Sequence, residues 1–131
     1  MKVLALDFGA ARTGVAVSDP TGTLARPLGV VERAETEAGL AELARLVRDE
    51  EAERVVVGLP LTMRGTRGEQ AAATERFVAT LSGVVDVPIV LYDERFTTDL
   101  ARRTPSAAPE DARAAAHLLE SYLQWSSKAP A

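Results

Sequence analysis

The chain contains no cysteine among its 131 residues. That excludes a disulfide framework, a thiolate nucleophile and a thiolate zinc site. Histidine occurs once, at His117. No nucleophile elbow accompanies it, so serine-triad chemistry has no support. Lysine is scarce as well, with thirteen of the fifteen basic residues being arginine. No apolar run approaches the ~20 residues that span a bilayer. Residues 1–8 lack the basic-then-apolar order of a secretory leader. The expectation is a soluble cytoplasmic protein with no membrane partner.

What is present suits one globular domain: 47% hydrophobic residues and 26% charged ones. That length buries a two-layer core but not two domains facing across a cleft. We assign residues 1–125 to a single domain and 126–131 to a flexible tail. The net charge of −4 does not suggest a surface coated for nucleic acid. Residues 32–53 alone carry eight acids and three arginines, a net of −5, leaving the remainder at +1. Charge therefore neither indicates nor excludes a polyanionic partner.

Hydrophobic periodicity orders the elements. Residues 2–8 and 12–18 read as strands joined by a tight Gly-Ala-Ala connection, and Asp19-Pro20-Thr21-Gly22 as a turn. A third strand spans 23–31, with Pro27 pointing to an edge or a bulge. Leu40, Leu43, Leu46 and Val47 then recur at helical spacing. Residues 54–59 form a near-continuous apolar run, as in a strand covered on both faces. Thr66-x-x-Glu69 has capping-box spacing before a helix carrying Ala73, Phe77, Val78 and Leu81, which Gly83 is expected to end. A fifth strand at 87–92, a short helix near 98–103 and a last helix over 110–124 complete the chain. The order predicts an α/β fold, one mixed sheet with helices on both faces.

Three acids fall at informative places. Alternation puts Val3, Ala5 and Asp7 on one strand face, so Asp7 continues a core-facing row just before a glycine turn. A turn-starting Asp that bonds the next amides is the plainer alternative. Glu94 follows the fifth strand, at the carboxyl end where open α/β sheets place their sites; ordinary loop charge explains it equally. Asp111 shares its helical stripe with Ala115, Leu118, Leu119 and Tyr122, so it heads the apolar face. An acid complementing the helix dipole is the alternative there. If the three elements are neighbours, the acids converge as hard oxygen ligands suited to magnesium or manganese. Two such ions can promote phosphodiester hydrolysis. His117 lies about 240° round the helix from Asp111 by the 3.6-residue turn, and reads as a surface histidine. Tyr122 and Trp125 read as packing for the last helix.

The motifs together resemble the YqgF/RuvX family. They are Asp7-Phe8-Gly9 with Arg12-Thr13-Gly14-Val15-Ala16; Val55-Val56-Val57-Gly58-Leu59-Pro60-Leu61 with Met63 and Gly65; Asp93-Glu94-Arg95 with Thr97-Thr98; and Asp111 with Ala114-Ala115, Leu118-Leu119 and Tyr122-Leu123. The resemblance runs in order through residues 2–123. It implies an RNase H-like fold, a five-stranded mixed sheet of three antiparallel strands then two parallel ones. It further implies a divalent-metal-dependent nuclease, Mg2+ or Mn2+, that processes the 5′ end of pre-16S rRNA. Asp7, Glu94 and Asp111 match the catalytic, metal-holding positions; Arg12, Thr13, Arg95, Thr97 and Thr98 are the candidates for substrate contact. RNA is the implied partner, branched DNA the lesser one, with the chain a monomer or homodimer.

Two departures from the family pattern lower the expected grip on phosphate. Ala11-Arg12 replaces the usual Lys-Arg pair, and the segment before Asp111 offers only Arg102 and Arg103. Other functions stay open: a non-catalytic RNA- or ribosome-binding maturation factor, a Holliday-junction resolvase, and, from Asp7-x-Gly with Thr13-Gly14, one lobe of an actin-like phosphate binder.

Overall fold

A computed structural model describes residues 1–61, 68–94 and 109–128. The strands are β1 (Val3–Asp7), β2 (Arg12–Ser18), β3 (Ala25–Glu32), β4 (Arg54–Leu59) and β5 (Ile89–Asp93). The helices are α1 (Glu37–Asp49), α2 (Glu69–Leu81) and α3 (Glu110–Lys128). Among the described residues the strands form one sheet in the order β3-β2-β1-β4-β5. The pairs β1–β2 and β2–β3 are antiparallel, while β1–β4 and β4–β5 are parallel. This is the mixed sheet that the element order predicts, and it puts β1 at the centre.

The β2–β3 register shows how Pro27 is accommodated. Val15 pairs with Gly29 but Ala16 pairs with Pro27, so Leu28 is an extra residue in the outer strand. A bulge on an edge strand is where a residue without an N–H costs least. The turn before it forms as its residues require. The Asp19 carboxylate accepts from the Thr23 and Leu24 amides at 2.8 and 2.9 Å, and Gly22 takes a φ of 72°.

Alternation divides the core in two. On one face Leu4, Leu6, Val15, Val17, Val55 and Val57 pack with Leu43 of α1 and with Phe77 and Leu81 of α2. On the other, Val3, Ala5, Ala16, Val56 and Tyr92 meet Ala115, Leu118, Leu119 and Tyr122 of α3. Small residues on both surfaces let α3 lie close to β1 and β2. Phe8, just past β1, stacks on Phe77 with ring centroids 4.3 Å apart.

Gly68 is the N-cap of α2, in extended backbone and without a side-chain cap, and Glu69 is the first helical residue. The capping-box frame is therefore two residues out; Thr66 itself lies outside the described residues. Gly83 does not end α2 by a left-handed turn, since the positive-φ glycine among the described residues is Gly22. Ser82 closes the helix in right-handed conformation, its N–H bonded to Val78 O. Helix α3 continues past Gln124 to Lys128. The short helix expected near 98–103 lies outside the described residues.

Glu51 sits at φ 54°, while Ala52 N–H reaches Val47 O and Glu51 N–H reaches Arg48 O. That pattern is a Schellman closure, with Glu where glycine is usual.

Candidate active site

Asp7 ends the central strand β1. Its row-mates Val3 and Ala5 both belong to the α3-side core, so alternation aims the Asp7 carboxylate toward α3. Directly across the ladder stands Gly14 of β2. A Cβ at Gly14 would lie 1.9 Å from the Asp111 carbonyl oxygen and 2.4 Å from its carbon. The missing side chain is what lets the first turn of α3 rest on β2 beside Asp7.

Glu94 follows β5, and β4 stands between β5 and β1. At ~4.8 Å per strand spacing, a β5 residue must cross roughly 9–10 Å to reach β1. The Glu94 side chain crosses over Gly58 of β4. A Cβ there would meet Glu94 Oε1 at 2.4 Å, Cγ at 2.8 Å and Cδ at 3.0 Å. At the end of this path Glu94 and Asp7 hydrogen-bond to each other.

The electrostatics follow from burial and charge crowding. Burial pushes the Glu94 carboxyl up to about 7, helped by the Asp7 charge, the hydrogen bond to Asp7 and the Asp93 charge. Asp7 is also raised, by burial and the Asp111 charge, against the hydrogen bond from Glu94 that lowers it. A hydrogen bond between two carboxyls needs one of them protonated, and both groups are raised, so the pair favours holding a shared proton.

Asp111 stands in the first turn of α3, half-buried, with Ala115, Leu118, Leu119 and Tyr122 of its stripe all buried. It is near enough for its charge to bear on Asp7, yet its Oδ2 is held by Arg12 Nε at 3.3 Å. Among the described residues no three or more Asp, Glu, His or Cys side chains are placed to hold one metal ion. The fold thus joins Asp7 with Glu94 and brings Asp111 beside them, its carboxylate turned to Arg12.

Of the candidates for substrate contact, Arg12 is on the surface at the start of β2. Thr13 is a correction: it is wholly buried, its hydroxyl 3.5 Å from the Gly9 backbone, and has no surface to offer a substrate. Alternation explains this, because Thr13 points to the opposite face from Arg12 and Gly14. Arg95, Thr97 and Thr98 lie outside the described residues. Tyr122 is buried and meets Tyr92 edge to face at 5.6 Å, as its packing role requires. Trp125 touches the same tyrosine while staying 53% exposed. The sequence reading gave no site role to Gly14 or Gly58. The available signal was a glycine inside a strand, which marks close approach of another group.

A family model described as "RuvX: Holliday junction resolvase" matches residues 1–125. A protein of Chloroflexus aggregans (strain MD-66 / DSM 9485) named "Putative pre-16S rRNA nuclease" is 42% identical over 130 residues, 92% of this chain and 92% of its own. A protein of the same name from Rubrobacter xylanophilus (strain DSM 9941 / JCM 11954 / NBRC 16129 / PRD-1) is 44% identical over 131 residues, 94% of this chain and 92% of its own. Among solved structures, T. thermophilus RuvC in complex with Holliday junction substrate matches with a TM-score of 0.66 at 16% identity. That match covers 97% of this chain and 96% of the other. The fowlpox virus Holliday junction resolvase matches at 0.56 and 11%, over 95% and 99%. These likenesses show a RuvC-like RNase H fold.

Proposed function

Because the chain belongs to the RuvX family, we propose that it is a divalent-cation-dependent nuclease acting on the 5′ end of pre-16S rRNA, with residues 1–125 as its single nuclease domain. The observation that carries this reading is the Asp7–Glu94 pair, two half-buried carboxyls at the ends of β1 and β5 that meet across β4 and are both raised by burial. Such an oxygen-only donor set fits magnesium or manganese, whose charge offsets the crowding that protonation otherwise relieves. Asp7 and Glu94 would hold the cation, with Asp111 as the third carboxylate.

When bound, a divalent cation supplies activation of an attacking water and stabilisation of the leaving oxygen of a phosphodiester. The chain's own residues do the rest. Gly58 leaves the path along which Glu94 reaches Asp7, and Gly14 seats α3 so that Asp111 stands beside them. Arg12, 62% exposed at its side chain, would offset the charge of an incoming phosphate; Arg95 is proposed for the same work, and Thr97 and Thr98 for fixing the nucleic-acid backbone.

A second reading is a non-catalytic RNA-binding maturation factor. The Arg12–Asp111 ion pair favours it, since it engages the third acid. Labelled rRNA precursor and a four-way DNA junction, each incubated with the protein in Mg2+, Mn2+ or chelator, separate the possibilities. The nuclease reading expects cleavage of the RNA in at least one cation, none in chelator, and loss of turnover by orders of magnitude in Asp7→Asn with the fold intact. RNA binding without cleavage in any cation supports the factor. Preferential cutting of the junction moves the substrate from RNA to branched DNA.

A further inference from the structure

We propose that Arg12 is a competing counter-ion for Asp111, a positioning residue that sets how tightly a divalent cation binds the carboxylate cluster. The proposal rests on the cation reading above and adds to it the control of the third carboxylate. Arg12 opens β2, two residues before Gly14 and on the same face, where α3 lands. Its Nε stands 3.3 Å from Asp111 Oδ2, with the arginine side chain 62% and the aspartate side chain 36% exposed. The guanidinium cannot lose its proton, so the contact is a permanent positive charge placed on one of the three acids.

A cation drawing Asp111 toward Asp7 and Glu94 therefore contends with that charge twice. It must share or displace the carboxylate, and it meets like-charge repulsion while Arg12 stays near. An ion pair this exposed is worth little, so the exchange is easy rather than blocked. The same exposure leaves the released guanidinium free to take a non-bridging phosphate oxygen, for which its fork is suited. Loading of cation and of phosphate then favour one another, as linkage requires in both directions.

Calorimetric titration of Mn2+ into the full-length chain tests this without relying on turnover. Arg12→Gln should bind Mn2+ about two- to fivefold more tightly than the unsubstituted protein, the ratio that an exposed ion pair supports. Arg12→Lys, which keeps the charge, should stay near the unsubstituted affinity. In an Asp111→Asn background, Arg12→Gln should bring a smaller gain, the part due to direct repulsion between the guanidinium and the cation. Equal or weaker Mn2+ binding by Arg12→Gln overturns the proposal, and so does the same gain in the Asp111→Asn background. Should neither the unsubstituted protein nor Arg12→Gln bind Mn2+, the cation reading itself fails and takes this inference with it. Binding by the unsubstituted protein with no gain in Arg12→Gln sinks only the role of Arg12.

Discussion

Gly58 lies under the side chain of Glu94, and a Cβ at that position would come within 2.4 Å of Oε1. The contact matters because β4 separates the strand that carries Glu94 from the strand that carries Asp7. A strand interior of Val55-Val56-Val57 switches to glycine at the one place where another residue must pass over it.

Gly58→Ala is expected to displace Glu94 from Asp7 while the fold persists, since the atoms it strikes belong to a side chain rather than to backbone. Misplacement of a site group by about 1 Å can cost ~10²-fold in rate. We expect cleavage of rRNA precursor to fall at least about tenfold, with a thermal midpoint close to that of the unsubstituted protein. Unchanged turnover would remove Glu94 from the working site.

Gly14→Ala is expected to act on the fold instead. Its Cβ strikes the backbone of Asp111 and Ala112, at 1.9 to 3.1 Å, so α3 must shift on the sheet. Overpacking of this kind costs roughly 1–3 kcal/mol. Urea denaturation read by circular dichroism measures it; a loss well under 1 kcal/mol would show that α3 reseats freely.

The shared proton makes stability depend on pH. Glu94 rises from an ordinary 4.5 to about 7, and Asp7 is raised too. Between those values the folded chain binds more protons than the unfolded one, so stability falls as pH rises through the window and levels off above it. Denaturation in chelator should show a loss of about 1–3 kcal/mol from pH 5 to pH 8, once solvent screening is allowed for. Glu94→Gln should flatten most of that slope. A slope of the opposite sign would mean that the two carboxyls do not share a proton.

Glu51→Gly should stabilise the protein. Glu51 is exposed and holds φ 54° at the close of α1. A left-handed non-glycine residue costs roughly 1–2 kcal/mol, part of which glycine gives back through its freer unfolded chain. The expected gain is about 0.5–1 kcal/mol by chemical denaturation, with cleavage unaffected.

Much of the fold was legible because its signals are local. Alternation alone placed Asp7 in line with Val3 and Ala5, and the structure keeps those two in the α3-side core. The 3.6-residue period put Asp111 at the head of a stripe whose other members are buried. Pro27, lacking an N–H, points to an edge or a bulge, and it sits on an edge strand next to the bulged Leu28. Readings that depended on one residue's backbone angle went astray. Gly83 looked like a helix stop, but Ser82 closes α2 in an ordinary right-handed conformation, which many residues satisfy. The motif points to Thr13 as a substrate contact, although one step of strand alternation turns it into the interior.

The amino-acid sequence by itself determined which segments become strands and helices and which face of each is apolar, since both depend on neighbours a few residues apart. Only the tertiary structure decided that Glu94 meets Asp7 by crossing β4 and that Arg12 rather than a fellow acid holds Asp111. Those partners come from elements distant along the chain. Their meeting depends on strand order and on the absence of a Cβ at Gly14 and Gly58, and periodicity within a single element carries neither.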